Sequence, residues 1–233
     1  ELDVTCSVKS SNLCQELGMV SNIFSDKTGT LTCNVMEFIK FYVDGTMYDV
    51  DLDPSSPPYN GKKLEGTHLP ESRKIHDFVR CLATCHTVIR EKDGTYRAES
   101  PDELALVLGA TKMNCSVLER GTVAMTCSIF GEKKEYEVLA VNAFNSARKR
   151  MSTVLKDKNG EYWVMCKGAD NIMVPLCAIN AEEKKEINRD LLQLAVQGLR
   201  TLCIAQKKLD PATAEKWLKD YEDAASSMED RAG

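Results

Sequence analysis

The chain has 233 residues with 43% hydrophobic and 28% charged residues, and its formal net charge is -5. This composition is typical of a folded globular protein and excludes a disordered or collagen-like chain. The slight acidic excess argues against a nucleic-acid binder, so an anionic ligand has to be held by a local group of cations. No apolar run reaches the roughly 18 residues that a membrane-spanning helix requires.

The cysteine pattern and the first residue bear on the protein's compartment and completeness. The 10 cysteines are scattered without a C-x-x-C pair, which indicates reduced, mostly buried thiols in a cytosolic protein. Cys81, Cys85 and His86 could suggest a metal site, but a structural zinc site needs a second pair of ligands, so we expect core thiols instead. The abrupt start at Glu1 predicts a soluble fragment of a longer protein.

Hydrophobic periodicity and turn residues predict the elements in chain order. Residues 21–24 are expected to form a short buried strand that ends before Asp26, and 35–43 and 46–50 a hairpin around Asp44-Gly45. Residues 51–72 contain four prolines and predict a surface loop. The predictions that follow are a helix over 72–86, a hairpin over 87–90 and 96–99, and a helix from Ser100 to about Met113. Strands are predicted over 122–130, 135–144, 149–156 and 161–167, with Asn159-Gly160 as a tight turn between the last two. A helix over 181–197, a strand over 201–205 and a helix from Asp210 to about Ala225 complete the chain.

These elements predict two unequal pieces. Residues 1–34 are expected to be an incomplete part of an α/β domain. Residues 35–233 are expected to form an α+β domain, with a mostly antiparallel β-sheet flanked by helices.

The start of the helix at residue 100 has a local sequence signature. Ser100 stands at the N-cap, Pro101 at the first helical position and Glu103 at the third, which predicts a capping box. Glu103 therefore has a structural explanation that competes with any role in ligand binding.

The most specific signal is the string Asp26-Lys27-Thr28-Gly29-Thr30-Leu31-Thr32. A carboxylate can attack the γ-phosphoryl group of ATP when nearby cations and backbone N–H groups offset the negative charge. Lys27 supplies a cation, and Gly29 lets the backbone approach the phosphate. The alternative for a single aspartate at a strand end is that it caps a turn.

This string resembles the phosphorylation motif of the P-type ATPases. The resemblance implies that Asp26 is the phosphorylated nucleophile, with Lys27 and Thr28 also catalytic, and that Asp26 and Thr28 belong to an Mg²⁺ site. That site is expected to be incomplete, because the family's later Thr-Gly-Asp and Gly-Asp-Gly elements do not follow Asp26. Thr28 stands where related phosphatases carry a second acid, so the phosphoenzyme is expected to persist.

A second constellation follows more than 100 residues later, in the strings that begin at Phe144, Lys167 and Gly198. An aromatic face, a lysine and an arginine could bind ATP without a glycine-rich loop. Taken singly, Phe144 could be a core residue, Lys167 a solvated lysine and Arg200 part of a surface ion pair. Together, the strings resemble the nucleotide-binding domain that P-type ATPases insert after the phosphorylation motif.

The resemblance implies a role for each nucleotide-site residue. Phe144 would stack on adenine, and Lys167 would line the pocket. Glu103 would accept from the purine edge or position Lys167. Arg200 would reach the phosphates with Lys149 nearby, Ser146 would contribute a hydroxyl, and Gly168 and Thr201 complete the set.

Details of the strings resemble the lipid-translocating (type IV) branch, notably Ser100-Pro-Asp-Glu103 and Lys167-Gly-Ala-Asp170. The resemblance implies the ATP-binding part of a phospholipid flippase at the cytoplasmic face of a membrane, with ATP and Mg²⁺ as cofactors and no nucleic-acid partner. The phospholipid would be selected by a membrane region outside the chain, which leaves room for an accessory membrane subunit.

We expect the chain to bind ATP without turning it over. Two alternatives remain open: a cation-transporting P-type ATPase, and a non-catalytic nucleotide-binding module.

Overall fold

A computed structural model of the protein describes residue 16 and residues 18–50, 62–63 and 72–226. The chain divides into two compact units, residues 1–35 and residues 36–233. The proline-rich loop predicted over 51–72 lies mostly outside the described residues.

The second unit contains all the named elements, numbered here in chain order. They are β1 (Lys40–Val43), β2 (Thr46–Asp49), β3 (Lys62–Lys63), α1 (Arg73–Thr84), β4 (Ile89–Arg90), β5 (Tyr96–Arg97), α2 (Pro101–Lys112), β6 (Cys115–Arg120), β7 (Ala124–Ile129), β8 (Glu132–Asn142), β9 (Arg150–Asp157), β10 (Tyr162–Gly168), α3 (Asp170–Leu176), α4 (Ala181–Ala195), β11 (Cys203–Leu209) and α5 (Pro211–Ser226).

The main sheet has six strands in the order β11-β10-β9-β8-β7-β6, and every neighbouring pair is antiparallel. Because strands that follow one another from β6 to β10 are neighbours, short turns connect them. Gly160, in the predicted turn between β9 and β10, has a φ of 79°, a conformation that glycine adopts without strain. The expected mostly antiparallel sheet with helices is confirmed.

Helix α1 supplies part of the hydrophobic core. Ile75, Val79 and Leu82 are almost fully buried, and their spacing of four and three residues places them on one helical face. They belong to the same core cluster as Leu155 of β9 and Met165 of β10. The apolar residues whose spacing predicted this helix are therefore the residues that contact the core.

Within the described residues, one predicted element is absent from the structure, and two elements of the structure were not predicted. Residues 21–24 form no strand, and Ile23 and Phe24 are 86% and 96% exposed. A parallel strand is stable only when neighbouring strands pair with its backbone and cover its faces, so four apolar residues do not form one by themselves. The structure also adds β6 and α3, which the sequence reading left without an element.

Among the described residues, no helix is both long enough and apolar enough to cross a bilayer.

Candidate functional site

Four strand ends bring the sequence-predicted residues of the second unit to one place. β8 ends at Asn142 and β9 begins at Arg150, while β10 ends at Gly168 and β11 begins at Cys203. Since these neighbours are antiparallel, the four ends lie at the same edge of the sheet. We call this region the site end; it comprises residues 142–150, 167–168 and 200–203, together with the first turn of α2.

Lys167 and Glu103 form a well-shielded ion pair at the site end. Lys167 Nζ lies 2.8 Å from Glu103 Oε1, and Lys167 is only 7% exposed. The Thr87 hydroxyl donates to the other carboxylate oxygen of Glu103 at 2.6 Å. A shielded pair of this kind is strongly sensitive to the loss of one partner, because the remaining charge is left uncompensated.

The environment of Glu103 favours its charged form. Burial alone would raise the pKa of Glu103, but the charge of Lys167 and the hydrogen bonds from Lys167 and Thr87 together lower it below its ordinary value. Glu103 therefore remains an anion at neutral pH and keeps the ammonium group of Lys167 in place.

The capping box predicted at Ser100 is not formed. The Ser100 side chain makes no capping hydrogen bond, and the carboxylate of Glu103 contacts Lys167 and Thr87 instead. A reciprocal capping box forms instead at the start of α4, between Asn180 and Glu183. The Glu103 carboxylate is therefore held by the ion pair with Lys167, and the prediction of a capping box at Ser100 was wrong.

A second ion pair joins α2 to the segment before β11. Arg200 Nη2 lies 3.2 Å from Asp102 Oδ2, and the two side chains are 64% and 24% exposed. Two successive acids in the first turn of α2, Asp102 and Glu103, thus each contact a cation of the site end. Thr201, next to Arg200, is half-buried.

The loop after β8 presents Phe144 to solvent. Its ring is 61% exposed, and Ser146 is exposed as well. The loop is braced internally, since the backbone N–H of Lys149 donates to Asn145 O at 2.8 Å and that of Arg148 to Asn145 Oδ1 at 2.7 Å. The exposed ring therefore offers a flat apolar face to a ligand, and no core residue has to move to uncover it.

Gly168 is required by the close approach of β9. A Cβ atom at this position would lie 2.6 Å from both the Cβ of Arg150 and the carbonyl oxygen of Lys149. The next residue, Ala169, donates its N–H to the same Lys149 oxygen at 3.0 Å. Gly168 therefore brings the backbone carrying Lys149 next to the end of β10.

The motif around Asp26 lies in the first unit and is exposed. Its turn is closed by backbone hydrogen bonds from Leu31 and Thr32 to the Lys27 carbonyl, both at 3.0 Å. Gly29 has a φ of 81°, as expected for a turn that lets a backbone approach a ligand. Asp26, Lys27 and Thr28 thus occupy one compact turn.

The oxygen atoms of Asp26 and Thr28 are of the kind that Mg²⁺ prefers. Within the part of the chain that the structure describes, however, no group of three His, Cys, Asp or Glu residues could hold a metal ion. These residues alone do not make a complete Mg²⁺ site.

Cys81, Cys85 and His86 are core residues. All three side chains are buried, as expected for the two thiols. The ring of His86 is engaged on both sides: Val88 N–H donates to Nδ1, and Nε2 lies against Ala83 O, each at 3.0 Å. Burial, followed by the charges of Arg120 and Lys167, lowers the pKa of His86 to about 3.

Sequence reasoning missed two residues of this arrangement. Asp102 had a detectable signal, because an acid next to Glu103 in the same helical turn can reach a second cation. Thr87 had none, since it follows α1 by three residues and meets Glu103 only through the tertiary fold. Both contact the charged side chains that the sequence had singled out.

The comparisons with known proteins agree on one protein family. Residues 74–230 match the family model described as P-type ATPase, cytoplasmic domain N. The chain is 38% identical over 250 residues to phospholipid-transporting ATPase C887.12 of Schizosaccharomyces pombe, covering 100% of this chain and 20% of that protein.

Two further relatives give the same picture. Identity is 38% to phospholipid-transporting ATPase DRS2 of Saccharomyces cerevisiae, over 99% of this chain and 18% of that protein. It is 35% to phospholipid-transporting ATPase IC of Xenopus tropicalis, over 98% of this chain and 20% of that protein. The chain thus spans about a fifth of the length of these relatives.

Proposed function

Because the chain belongs to the P-type ATPase family and includes its cytoplasmic domain N, we propose that the site end of the sheet binds the adenine and phosphates of ATP. The observation that carries this proposal is the shielded Lys167–Glu103 pair on the same sheet edge as the exposed ring of Phe144. An apolar platform beside a fixed cation is the combination that a purine nucleotide requires.

Each residue has a distinct part in binding. The Phe144 ring stacks on adenine, while Glu103 fixes Lys167 against the base. Arg200 contacts Asp102 through Nη2, and its guanidinium has further N–H donors that reach the phosphate oxygens. Lys149 adds a positive charge near those oxygens.

In the whole protein, Asp26 is the phosphate acceptor. A carboxylate oxygen of Asp26 forms a bond to the γ-phosphorus of ATP as the bond to the bridging oxygen of ADP breaks, and ADP leaves with the negative charge. Mg²⁺ would neutralise phosphate charge in this reaction, and its further ligands have to come from outside the described residues. The 233-residue chain is therefore expected to bind ATP without turnover.

The full-length protein is proposed to be a phospholipid flippase of a cellular membrane. This rests on the relatives, which are named phospholipid-transporting ATPases. The cation-transporting and non-catalytic alternatives have no comparable observation in their favour.

The test is an ATP titration of the chain by calorimetry, with Phe144→Ala and a matched variant, Phe24→Ala, which also removes an exposed ring. Stacking on one base contributes about 1–3 kcal/mol, so Phe144→Ala should weaken ATP binding about 5- to 150-fold. Phe24→Ala should leave the affinity unchanged.

Equal affinities for Phe144→Ala and the unchanged chain would refute the site. Release of inorganic phosphate by the 233-residue chain would refute the expectation that it lacks turnover.

A further inference from the structure

The segment that joins α1 to β4 places a threonine beside the ion pair of the site end. Thr87 lies three residues after the end of α1, and its side chain is half-buried. Its hydroxyl donates to Glu103 Oε2 at 2.6 Å, and its backbone N–H lies 3.4 Å from the same oxygen. The other carboxylate oxygen, Oε1, contacts Lys167 Nζ at 2.8 Å. Thr87 and Lys167 therefore hold one carboxylate through its two different oxygens.

The segment that carries Thr87 is fixed on both sides of this residue. Cys85 is fully buried, and its sulfur lies 3.5 Å from the carbonyl oxygen of Met165 in β10. The His86 ring accepts a hydrogen bond from the N–H of Val88 at 3.0 Å, and Val88 is fully buried as well. The hydroxyl of Thr87 therefore has a defined position relative to β10.

A glutamate carboxylate needs more than one contact to be fixed in orientation. The last torsion of a glutamate side chain joins an sp³ carbon to an sp² carbon, and its preference is broad. If Lys167 were its one contact, the Glu103 carboxylate could rotate about this torsion, and the lysine ammonium could follow it. The Thr87 hydroxyl at the second oxygen opposes that rotation. The direction of the ammonium is then set before a ligand arrives.

We propose that Thr87 is a positioning residue of the nucleotide site: its hydroxyl fixes Glu103, and through Glu103 it holds the Lys167 ammonium in the orientation that meets the purine. This role rests on the function proposed above for the site end. Lysine has a long and flexible side chain, and ordering it during binding would reduce the affinity. Thr87 thus contributes to ATP affinity without touching the nucleotide.

Two substitutions separate the hydroxyl of Thr87 from the shape of its side chain. Thr87→Val keeps the branched shape and the backbone N–H but removes the hydroxyl donor. Thr87→Ser keeps the hydroxyl and removes the methyl group. A residue that only packs in the fold would tolerate valine better than serine, whereas a residue that acts through its hydroxyl has the opposite order.

The test is a calorimetric ATP titration of the 233-residue chain with these two variants and with Phe144→Ala. We expect Thr87→Val to weaken ATP binding about 5- to 10-fold, because a hydrogen bond to a charged group is lost and Lys167 is no longer fixed. Thr87→Ser should stay within about 2-fold of the unchanged chain. The matched control is Thr95→Val, since the Thr95 hydroxyl also donates to a carboxylate at 2.6 Å, that of Asp93, but in the exposed turn between β4 and β5. It should leave the ATP affinity unchanged.

A double variant tests whether Thr87 acts through Glu103. In Glu103→Ala the Thr87 hydroxyl has no carboxylate to fix, so adding Thr87→Val should weaken ATP binding by less than about 2-fold further. A further loss as large as that in the unchanged background would overturn the proposal. Circular dichroism establishes that each variant is folded. If Glu103→Ala does not fold, the comparison of Thr87→Val with Thr87→Ser decides alone.

The outcomes separate this role from the proposed function of the site end. If Phe144→Ala weakens ATP binding and Thr87→Val does not, the nucleotide site stands and the role of Thr87 is refuted. Equal losses in Thr87→Val and Thr87→Ser would refute that role as well, because packing and not the hydroxyl would then matter. If neither Phe144→Ala nor Thr87→Val changes the ATP affinity, the proposed site and the role of Thr87 both fail.

Discussion

The two regions with the strongest sequence signals are organised in opposite ways. The Asp26 turn is held by backbone hydrogen bonds and exposes its side chains. At the site end, by contrast, the key lysine is shielded and fixed by an acid from a distant helix. The comparison shows that local backbone hydrogen bonds suffice to hold the Asp26 turn, whereas the charges of the proposed nucleotide site are positioned by tertiary contacts.

The largest expected effect is on stability, from Lys167→Met. This change leaves Glu103 shielded without its cation, and breaking such a buried pair costs about 3–5 kcal/mol. Urea unfolding followed by tryptophan fluorescence measures it. The double variant Lys167→Met/Glu103→Gln should recover part of the loss, because no unpaired charge remains. Lys27→Met, in the exposed turn, should leave the free energy of unfolding unchanged; an equal loss in both lysine variants would contradict the comparison.

Replacing one glycine in each region tests the same difference between the site end and the Asp26 turn. Gly168→Ala places a Cβ 2.6 Å from the Lys149 oxygen, and overpacking of this kind costs about 1–3 kcal/mol. A Cβ at Gly29 meets no atom within 4 Å, so Gly29→Ala strains only its own turn. Thermal unfolding monitored by the fluorescence of Trp163, which lies in β10, should detect the first change and not the second. Full stability of Gly168→Ala would show that β9 can move away from the site end.

The buried ring of His86 predicts a pH effect on the core beneath the site end. Its pKa falls from an ordinary value near 6.5 to about 3 in the folded chain, so below about pH 6.5 the unfolded chain takes up a proton that the folded chain does not. Stability is therefore lost as the pH falls, by about 2 kcal/mol between pH 7 and pH 5 from this residue. Ring NMR signals of His86 should stay constant over that range in the folded chain and titrate in urea. A midpoint near 6.5 in the folded chain would contradict the prediction.

The smallest changes in stability and in ATP affinity are expected for Asp102→Asn. The pair with Arg200 is largely exposed, and such pairs contribute about 0.2–1 kcal/mol, so stability should barely change. Because the proposed site holds the ATP phosphates near Arg200, loss of the negative charge of Asp102 should strengthen ATP binding up to about 5-fold. Calorimetric titration at low and high salt would show this gain shrinking with added salt. Weaker ATP binding in Asp102→Asn would mean that Asp102 holds Arg200 in its binding position.

Much of the fold could be predicted from local patterns. The α1 periodicity, the Asn159-Gly160 turn and the alternation in the later strands gave correct elements. β6 was missed although Cys115 and Val117 alternate with a less buried residue: the predicted helix ended at about Met113, and the short alternation that follows it was given no element. α3 was missed because Pro175 lies inside it, and proline normally argues against a helix.

The candidate site was only partly predictable, because its ion pairs join residues that are far apart in the sequence. The Phe144, Lys167 and Arg200 strings could be found from the sequence, and the family resemblance implied that Glu103 could position Lys167. The pairing of Arg200 with Asp102 and the contact of Thr87 with Glu103 were not predicted. Glu103 satisfied a capping pattern that the structure does not form; its carboxylate contacts Thr87 and Lys167 instead, and both lie far from it in the sequence. The strand predicted at 21–24 was wrong because its stability depends on neighbours that a local pattern does not reveal.

By itself, the sequence determined the composition class, the hydrophobic faces and the motif strings, because these depend on residues close together in the chain. Only the tertiary structure decided the geometry in which the charges meet: Lys167 with Glu103 and Arg200 with Asp102. Ion pairs and burial depend on distances across the fold, and residues 64 or 98 positions apart are brought together only when the sheet and helices pack.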